Sequence, residues 1–241
     1  MLILSRVIVL RTLRYNDDTL IAHCYSASAG LVSLSVRITR SPRAAVRHAL
    51  FQPLALLEVE WTASAQRELG RCRSARLAVP TQGVAIDPTK RAIALFLAEF
   101  LEAALRSESA GEGVFDYIIS AVKWLDMAER GVANFHLVFL LRLSLFLGIA
   151  PNVDDYRREA YFDLRSGTFV QVCPPHPDYL PPAEAMHLPR LLRINFPTMH
   201  AFRFTRSERH ALLRGILTYY RLHLPAFPTL RSLEVLTALF D

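Results

Sequence analysis

The chain has 241 residues, 52% of them hydrophobic, which is enough to bury a core as one large domain or as two to three small ones. Its three cysteines, Cys24, Cys72 and Cys173, show no CxxC spacing. This excludes a disulfide framework and a thiolate zinc ribbon, and it favours a reducing compartment. The apolar N-terminus is too short for a signal peptide and no run reaches the roughly 18 apolar residues of a membrane helix, so we expect a cytoplasmic protein without membrane contact.

The net charge of +6 lies entirely in the first third of the chain. Residues 1–80 contain 11 arginines against 5 acidic residues, whereas residues 81–241 contain 17 basic and 17 acidic residues. Every basic residue before position 90 is arginine, whose planar fork grips phosphate and also stacks on bases. This choice suits nucleic acid, although a GC-rich genome would raise the arginine content equally well.

The first part of the chain predicts short strands separated by turns. The clearest has Val32, Leu34 and Val36 on one side and Ser33, Ser35 and Arg37 on the other, the alternation of a half-buried strand. The predicted strands are Arg6–Arg14, Thr19–Ser26, Leu31–Thr39, Leu54–Trp61 and Gly70–Leu77. Five strands at this spacing predict an OB-type barrel, a fold that binds single strands across strands 2 and 3 and the loops beside them.

After a linker from Pro80 to Pro88, the pattern becomes helical. Asp87 is the predicted N-cap of the first helix, with Pro88 at its first position, and Val114–Glu129 is a second helix closed by Gly131. The third helix, capped by Asn134, spans residues 135–149. It is apolar nearly all round, which is typical of a helix in the middle of a bundle.

Residues 152–205 are the least regular. Tyr161–Leu164 and Thr168–Val172 predict a hairpin, and the proline-rich Cys173–Pro182 predicts a loop without regular structure. A helix then begins at Thr205 or Ser207, and a last one spans Leu230–Phe240. The predicted fold class is α+β, with an OB-fold DNA-binding domain at 1–80 and a mainly helical domain at 81–241 that carries a small hairpin insertion.

No enzyme signature is present. The chain lacks GxSxG, a P-loop and GxGxxG, the motifs of serine hydrolases, ATPases and Rossmann dehydrogenases. Asp17-Asp18 and Asp154-Asp155 lie in turn-like contexts, where capping or solvation explains them. Cys173 and His176 form half of a possible zinc site, but no second pair with ligand spacing exists. We therefore expect no catalytic residues, no metal and no cofactor.

The arginines are the remaining candidate site. Four of them fall within eleven residues on one strand and its loop, without an acidic residue among them: Arg37, Arg40, Arg43 and Arg47. Arg11, Arg14, Arg71 and Arg73 extend the predicted nucleic-acid site, with phosphate contact rather than base reading as the expected mode. For any single arginine, a solvated surface position without a ligand is the better explanation, and only the group as a whole favours nucleic acid. Tyr15, Tyr25 and Phe51 are available for stacking, although the core also explains Phe51.

Residues 5–59 resemble the N-terminal OB domain of the bacterial recombination mediator family RecO, in the order of strands, the Gly-x-Val/Leu turn, the basic stretch and the "L-Q-P" before the next strand. The resemblance continues through Phe135, Leu140, Leu141, Leu147, Gly148 and Pro151, and resumes at residues 219–236. It implies a non-enzymatic, nucleoid-associated mediator that binds single- and double-stranded DNA, anneals strands, and helps load RecA together with RecR and the C-terminal tail of single-stranded-DNA-binding protein. It places Arg37 and Arg40 in the family's basic stretch.

Two departures from the family pattern are visible. Many members carry a four-cysteine zinc module after Gly-x-x-Pro, but here the region holds Asp154, Asp155 and Cys173, so we expect the insertion at about 152–205 to replace that module without zinc. The basic residues before the central helix are Ala133 and Asn134 here, which leaves Phe135, Leu141 and Arg142 as the candidate partner-binding residues. The alternatives are an OB-fold adaptor that acts only through protein contacts and a nuclease, for which no catalytic cluster exists.

Overall fold

The computed structural model describes residues 1–37, 48–64 and 67–239, and begins with a five-stranded barrel. Its strands are β1 (Leu2–Asn16), β2 (Thr19–Ser26), β3 (Gly30–Arg37), β4 (Leu56–Ser64) and β5 (Arg67–Val79), with a 3-10 turn at His48–Leu50 before β4. The barrel closes in the order β1-β2-β3-β5-β4, with β3 and β5 parallel and the other pairs antiparallel. The predicted OB-type barrel is confirmed.

Alternation along the strands fills the barrel. Leu34 and Val36 of β3 point inward together with the alternate residues of the neighbouring strands, and Phe51 and Trp61 join this core. Side chains at the intervening positions therefore face outward. Because a one-residue slip would exchange the two faces, the apolar pattern also fixes which polar residues are presented outside.

Three helices follow the barrel: α1 (Gln82–Ile86), α2 (Pro88–Ala104) and α3 (Glu112–Met127). The Asp87 side chain accepts hydrogen bonds from the Thr89 and Lys90 amides, so the predicted cap is confirmed. The predicted linker at 80–88 was too simple, since α1 lies within it. Helix α1 is anchored to α3 because the Asp126 side chain accepts a hydrogen bond from the Val84 amide at 2.8 Å. Lys90 Nζ of α2 donates to the Asp126 backbone carbonyl at 2.7 Å.

The apolar helix α4 (Phe135–Phe146) has buried residues on all sides, as predicted. It does not begin with an asparagine cap, however. Residues 132–134 form a 3-10 turn, and the Asn134 amide group donates instead to the Phe202 carbonyl at 2.9 Å. The prediction of this cap was wrong because the 3-10 turn and a partner 68 residues away determine the side chain's orientation.

A small sheet is formed by β6 (Tyr161–Asp163), β7 (Thr168–Val170) and β8 (Tyr179–Leu180), in the order β7-β6-β8. The β6–β7 hairpin was predicted, but β8 lies inside the proline-rich segment that was expected to be irregular. That expectation was wrong because Tyr179 and Leu180 lie at the end of the segment, where they pair with Asp163 and Phe162 of β6.

The remaining helices are α5 (Pro182–Ala185), α6 (Leu188–Arg193), α7 (Arg206–His223) and α8 (Ser232–Leu239), with a 3-10 helix at Phe196–Ala201. Thr205 and Glu208 form a capping box at the start of α7. Glu99 of α2 accepts from the Arg231 and Ser232 amides at 3.0 and 2.8 Å, and from the Ser232 hydroxyl, at the start of α8.

The chain divides into two compact units. The first comprises residues 1–127 and 230–235, and the second residues 128–229 and 236–241. In the part of the chain that the structure describes, no helix combines the length and apolar character needed to cross a membrane. The observed architecture is the predicted α+β class.

Candidate nucleic-acid interface

The outward face of the barrel presents a row of residues that crosses four strands and is polar on three of them. Ser35 of β3 lies opposite Ile21 of β2 and Arg71 of β5, and Arg71 in turn lies opposite Thr62 of β4. Arg37 lies two residues beyond Ser35 on the same face. From strand spacing and rise, its Cα is roughly 8 Å from that of Arg71. The parallel pairing of β3 with β5 thus brings together arginines that are far apart in sequence.

Arg73 joins this group through a bulge in β5. Cys72 pairs with Trp61 and Ser74 pairs with Glu60, so Arg73 is the extra residue between two consecutive partners. A bulge of this kind breaks the ladder locally and redirects a side chain. Arg37, Arg71 and Arg73 are all exposed, and together we call them the barrel arginines.

The other arginines with described side chains in the barrel are each paired with a carboxylate. Arg11 lies 3.1 Å from Glu102 of α2, and Arg14 lies 3.0 Å from Asp17. Arg76 Nε donates to Glu58 at 2.7 Å, and Arg6 lies 3.8 Å from Asp116. None of the ion pairs between described residues involves a barrel arginine. The arginines with described side chains in residues 1–80 therefore fall into a set with carboxylate partners and a set without one among the described residues.

His23 lies beside the ion pair of Arg11 and Glu102. Its Nδ1 is 3.2 Å from the Ser33 hydroxyl and 3.7 Å from Glu102. Burial lowers the pKa of His23, and the positive charge of Arg11 lowers it further. The carboxylate of Glu102 raises the pKa by less, so the net shift is downward. The His23 ring is therefore mainly neutral at pH 7, and the Glu102 carboxylate forms its ion pair with Arg11.

The predicted site residues are thus placed unequally. Arg37, Arg71 and Arg73 share one outward face, while Arg11 is held by Glu102. The pair formed by Arg14 is 71% and 99% exposed, and such pairs contribute little stability, so Arg14 stays available to a phosphate. Arg40, Arg43 and Arg47 lie outside the described residues.

The stacking candidates also separate. Tyr15 is 72% exposed and can meet a base, whereas Phe51 lies in the barrel core. Tyr25 is fully buried, with its ring centroid 6.1 Å from that of Phe115. The expectation that Tyr25 is available for stacking was wrong, because α3 covers it.

The candidate partner-binding residues lie in the second unit. Phe135 and Leu141 are buried, and Arg142 Nη1 donates to the Ile194 carbonyl at 3.1 Å. In this arrangement Phe135 and Leu141 supply packing rather than accessible surface. Their role toward a partner stays a prediction.

The region of the possible half zinc site has other contacts. His176 Nε2 lies 3.5 Å from Asp163 Oδ1, and Cys173 is exposed. Across the residues with described positions, no three His, Cys, Asp or Glu side chains form a group that could hold a metal ion.

A closed five-stranded barrel with uncompensated arginines outside, followed by helices, defines an OB-barrel protein with an accessory helical part. Comparison with known proteins goes further. The family model described as Recombination protein O N terminal matches residues 1–80, and that described as Recombination protein O C terminal matches residues 86–234. The chain belongs to the RecO family.

The match to known relatives extends over all or nearly all of both chains. The DNA repair protein RecO of Bacteroides fragilis is 47% identical over 235 residues, and that of Phocaeicola vulgatus is 45% identical over 234, each covering 97% of both chains. The protein of the same name from Flavobacterium psychrophilum is 31% identical over 243 residues, covering 100% of both chains.

Proposed function

We propose that this chain is a non-enzymatic recombination mediator in DNA repair, which binds single- and double-stranded DNA through the outward face of its barrel. One observation carries the proposal. The barrel arginines share an exposed face and take part in no ion pair with described residues, while Arg6, Arg11, Arg14 and Arg76 all have carboxylate partners. Membership of a family whose relatives are named DNA repair proteins supports it.

The chemistry of the face fits phosphate contact rather than base reading. Arginine forks bind phosphate oxygens bidentately, and hydroxyls such as those of Ser35 and Thr62 are further phosphate donors. Neutralising phosphates also lowers the repulsion between two strands, which is the physical requirement for annealing them. The face needs no catalytic group for this role.

The partners in the proposal are RecR, the C-terminal tail of single-stranded-DNA-binding protein and, indirectly, RecA. They are what membership of the family implies for a mediator. A DNA-bound protein of this kind would be cytoplasmic and associated with the nucleoid.

A salt series on the unmodified protein tests the proposal. We expect a labelled 30-nucleotide single strand to bind with an affinity that falls steeply between 50 and 200 mM salt, since each phosphate contact contributes about −0.7 to the slope of log K against log salt. A 30-base-pair duplex should show a similarly steep fall. A protein that acts only as an adaptor would bind neither DNA at any of these salt concentrations, and that result would refute the proposal.

A further inference from the structure

A second concentration of positive charge lies in the second unit. From the start of α6 to the end of α7, residues 188–223 carry seven arginines and a single acidic residue, Glu208. The arginines are Arg190, Arg193, Arg203, Arg206, Arg209, Arg214 and Arg221. Residues 188–223 therefore have a net charge of +6. The net charge of residues 81–241 is zero only because the other residues in that range carry an equal acidic excess.

Helix α7 arranges part of this charge in a line. Arg206, His210, Arg214 and Arg221 fall within about 80° of the helix circumference, and Arg206 and Arg221 are about 22 Å apart along the axis. Arg206, Arg214 and Arg221 are exposed, and we call them the α7 stripe. Leu212 and Ile216 on the other side are buried, so packing of the second unit orients the stripe toward solvent.

Two of the three acidic side chains nearby, those of Glu208 and Asp178, have other partners, whereas Glu184 Oε2 has no hydrogen-bond partner among the described residues. Glu208 accepts from the Thr205 amide and hydroxyl at 2.6 and 2.8 Å, which commits it to the capping box. The cleft lined by Arg214 also contains Asp178 and Glu184, and Asp178 pairs with Arg165 at 2.7 Å. Among the ion pairs of the described residues, none includes Arg214 or Arg221.

Two of these arginines lie at the end of α7 where the helix dipole disfavours a positive charge. A helix N-terminus is positive, so folding alone favours acidic rather than basic residues there, yet Arg206 and Arg209 lie in the first turns of α7. Burial lowers the pKa of His210, and Arg206, Arg214 and Arg209 lower it further. The same positive potential attracts an anion.

We propose that the α7 stripe binds the phosphate backbone of nucleic acid, as a second surface beyond the barrel face. Along one edge of the stripe lie Ser207, Ala211 and Thr218, which are small or hydroxyl-bearing. An acidic peptide partner would need an aromatic or large apolar anchor at the centre of its site, whereas a backbone of repeated phosphates needs only spaced cations and hydroxyl donors. Two such surfaces on one chain let it hold two strands, which raises the effective concentration of one for the other.

The test replaces the stripe by neutral residues in the full chain, as Arg206→Gln, Arg214→Gln and Arg221→Gln together. We expect the slope of log K against log salt to become shallower by about 2 for a 30-nucleotide single strand and by about 2.7 for a 30-base-pair duplex. The matched control is Arg130→Gln, Arg157→Gln and Arg158→Gln, which removes the same net charge from exposed positions outside the stripe. It should leave both slopes unchanged.

Equal loss in the stripe and control variants would mean that only net charge matters, and it would overturn the proposal, as would unchanged slopes in the stripe variant. If the triple variant fails to fold, the single variants Arg214→Gln and Arg221→Gln should each reduce the single-strand slope by about 0.7, and wild-type slopes in both would count against the stripe. Measuring in parallel a variant with Arg37, Arg71 and Arg73 changed to alanine separates the two proposals, because loss confined to one variant assigns binding to that surface alone.

Discussion

Replacing Arg37, Arg71 and Arg73 with alanine removes three exposed guanidinium groups that form no ion pair among the described residues. If each neutralises one phosphate of a single strand, the slope of log K against log salt should become shallower by about 2. Counterion release alone then lowers the affinity about 100-fold at 0.1 M salt and about 30-fold at 0.2 M. The assay is fluorescence anisotropy with a labelled single strand over a range of salt concentrations.

The matched control changes the same positions to lysine. It keeps the charge and loses only the planar fork, so its salt slope should equal that of the unmodified protein. Since all three side chains are exposed, each substitution should change the free energy of unfolding by less than about 0.5 kcal/mol. An alanine variant with the wild-type slope and an unchanged melting temperature would refute the assignment of the barrel arginines as the phosphate site.

Three further predictions concern the remainder of the chain. Partial burial raises the pKa of Glu99, but hydrogen bonds from Ser232 and its neighbour outweigh this and lower it. Glu99→Ala should therefore destabilise the start of α8 by about 2 kcal/mol at pH 7, measured by hydrogen exchange. This contribution is present above the unfolded pKa of about 4.3 and is lost as the pH falls through the folded value; an equal loss at pH 7 and at a pH below the folded value would contradict it. Burial raises the pKa of Cys24 and, to about 11, that of Cys72, so a thiol reagent at pH 8 should label Cys173 alone, and rapid labelling of a second thiol would show that the barrel opens. Elemental analysis of the purified protein should find no stoichiometric zinc, and one zinc per chain would overturn this expectation.

Local patterns were sufficient to predict much of the fold. The alternation in Val32, Leu34 and Val36 reports directly which side of a strand is buried, and the pair Asp87-Pro88 satisfies the first amides of a helix with residues that are adjacent in sequence. Thr205 similarly forms its capping box with Glu208, three residues away. Each of these features depends on neighbours within one turn or one strand.

Features that depend on distant residues were missed. Nothing near Asn134 indicates that its side chain bonds to Phe202 rather than capping α4, and Tyr25 is buried only because α3 packs on the barrel. Arg11 carries the same sequence signal as Arg71, yet only Arg11 meets a carboxylate, which comes from Glu102 on a helix 91 residues later.

The candidate site was predicted in part for the same reason. Arg37, Arg71 and Arg73 were all proposed from sequence, but their convergence follows from the parallel pairing of β3 with β5, which joins non-consecutive strands. The arginines of α7 are visible in the sequence, but a charge balance taken over all of residues 81–241 does not show the local excess in residues 188–223. A charge count over windows of about 35 residues shows it.

Photo-crosslinking from the centre of the barrel face tests the central claim most directly. A benzophenone side chain placed at Ser35, opposite Arg71 and two residues from Arg37, should crosslink to a bound single strand. The same group placed at Met127, which is 80% exposed at the end of α3 and outside the barrel strands, should not. Crosslinking from Met127 with none from Ser35 would show that DNA binds elsewhere and would contradict the account.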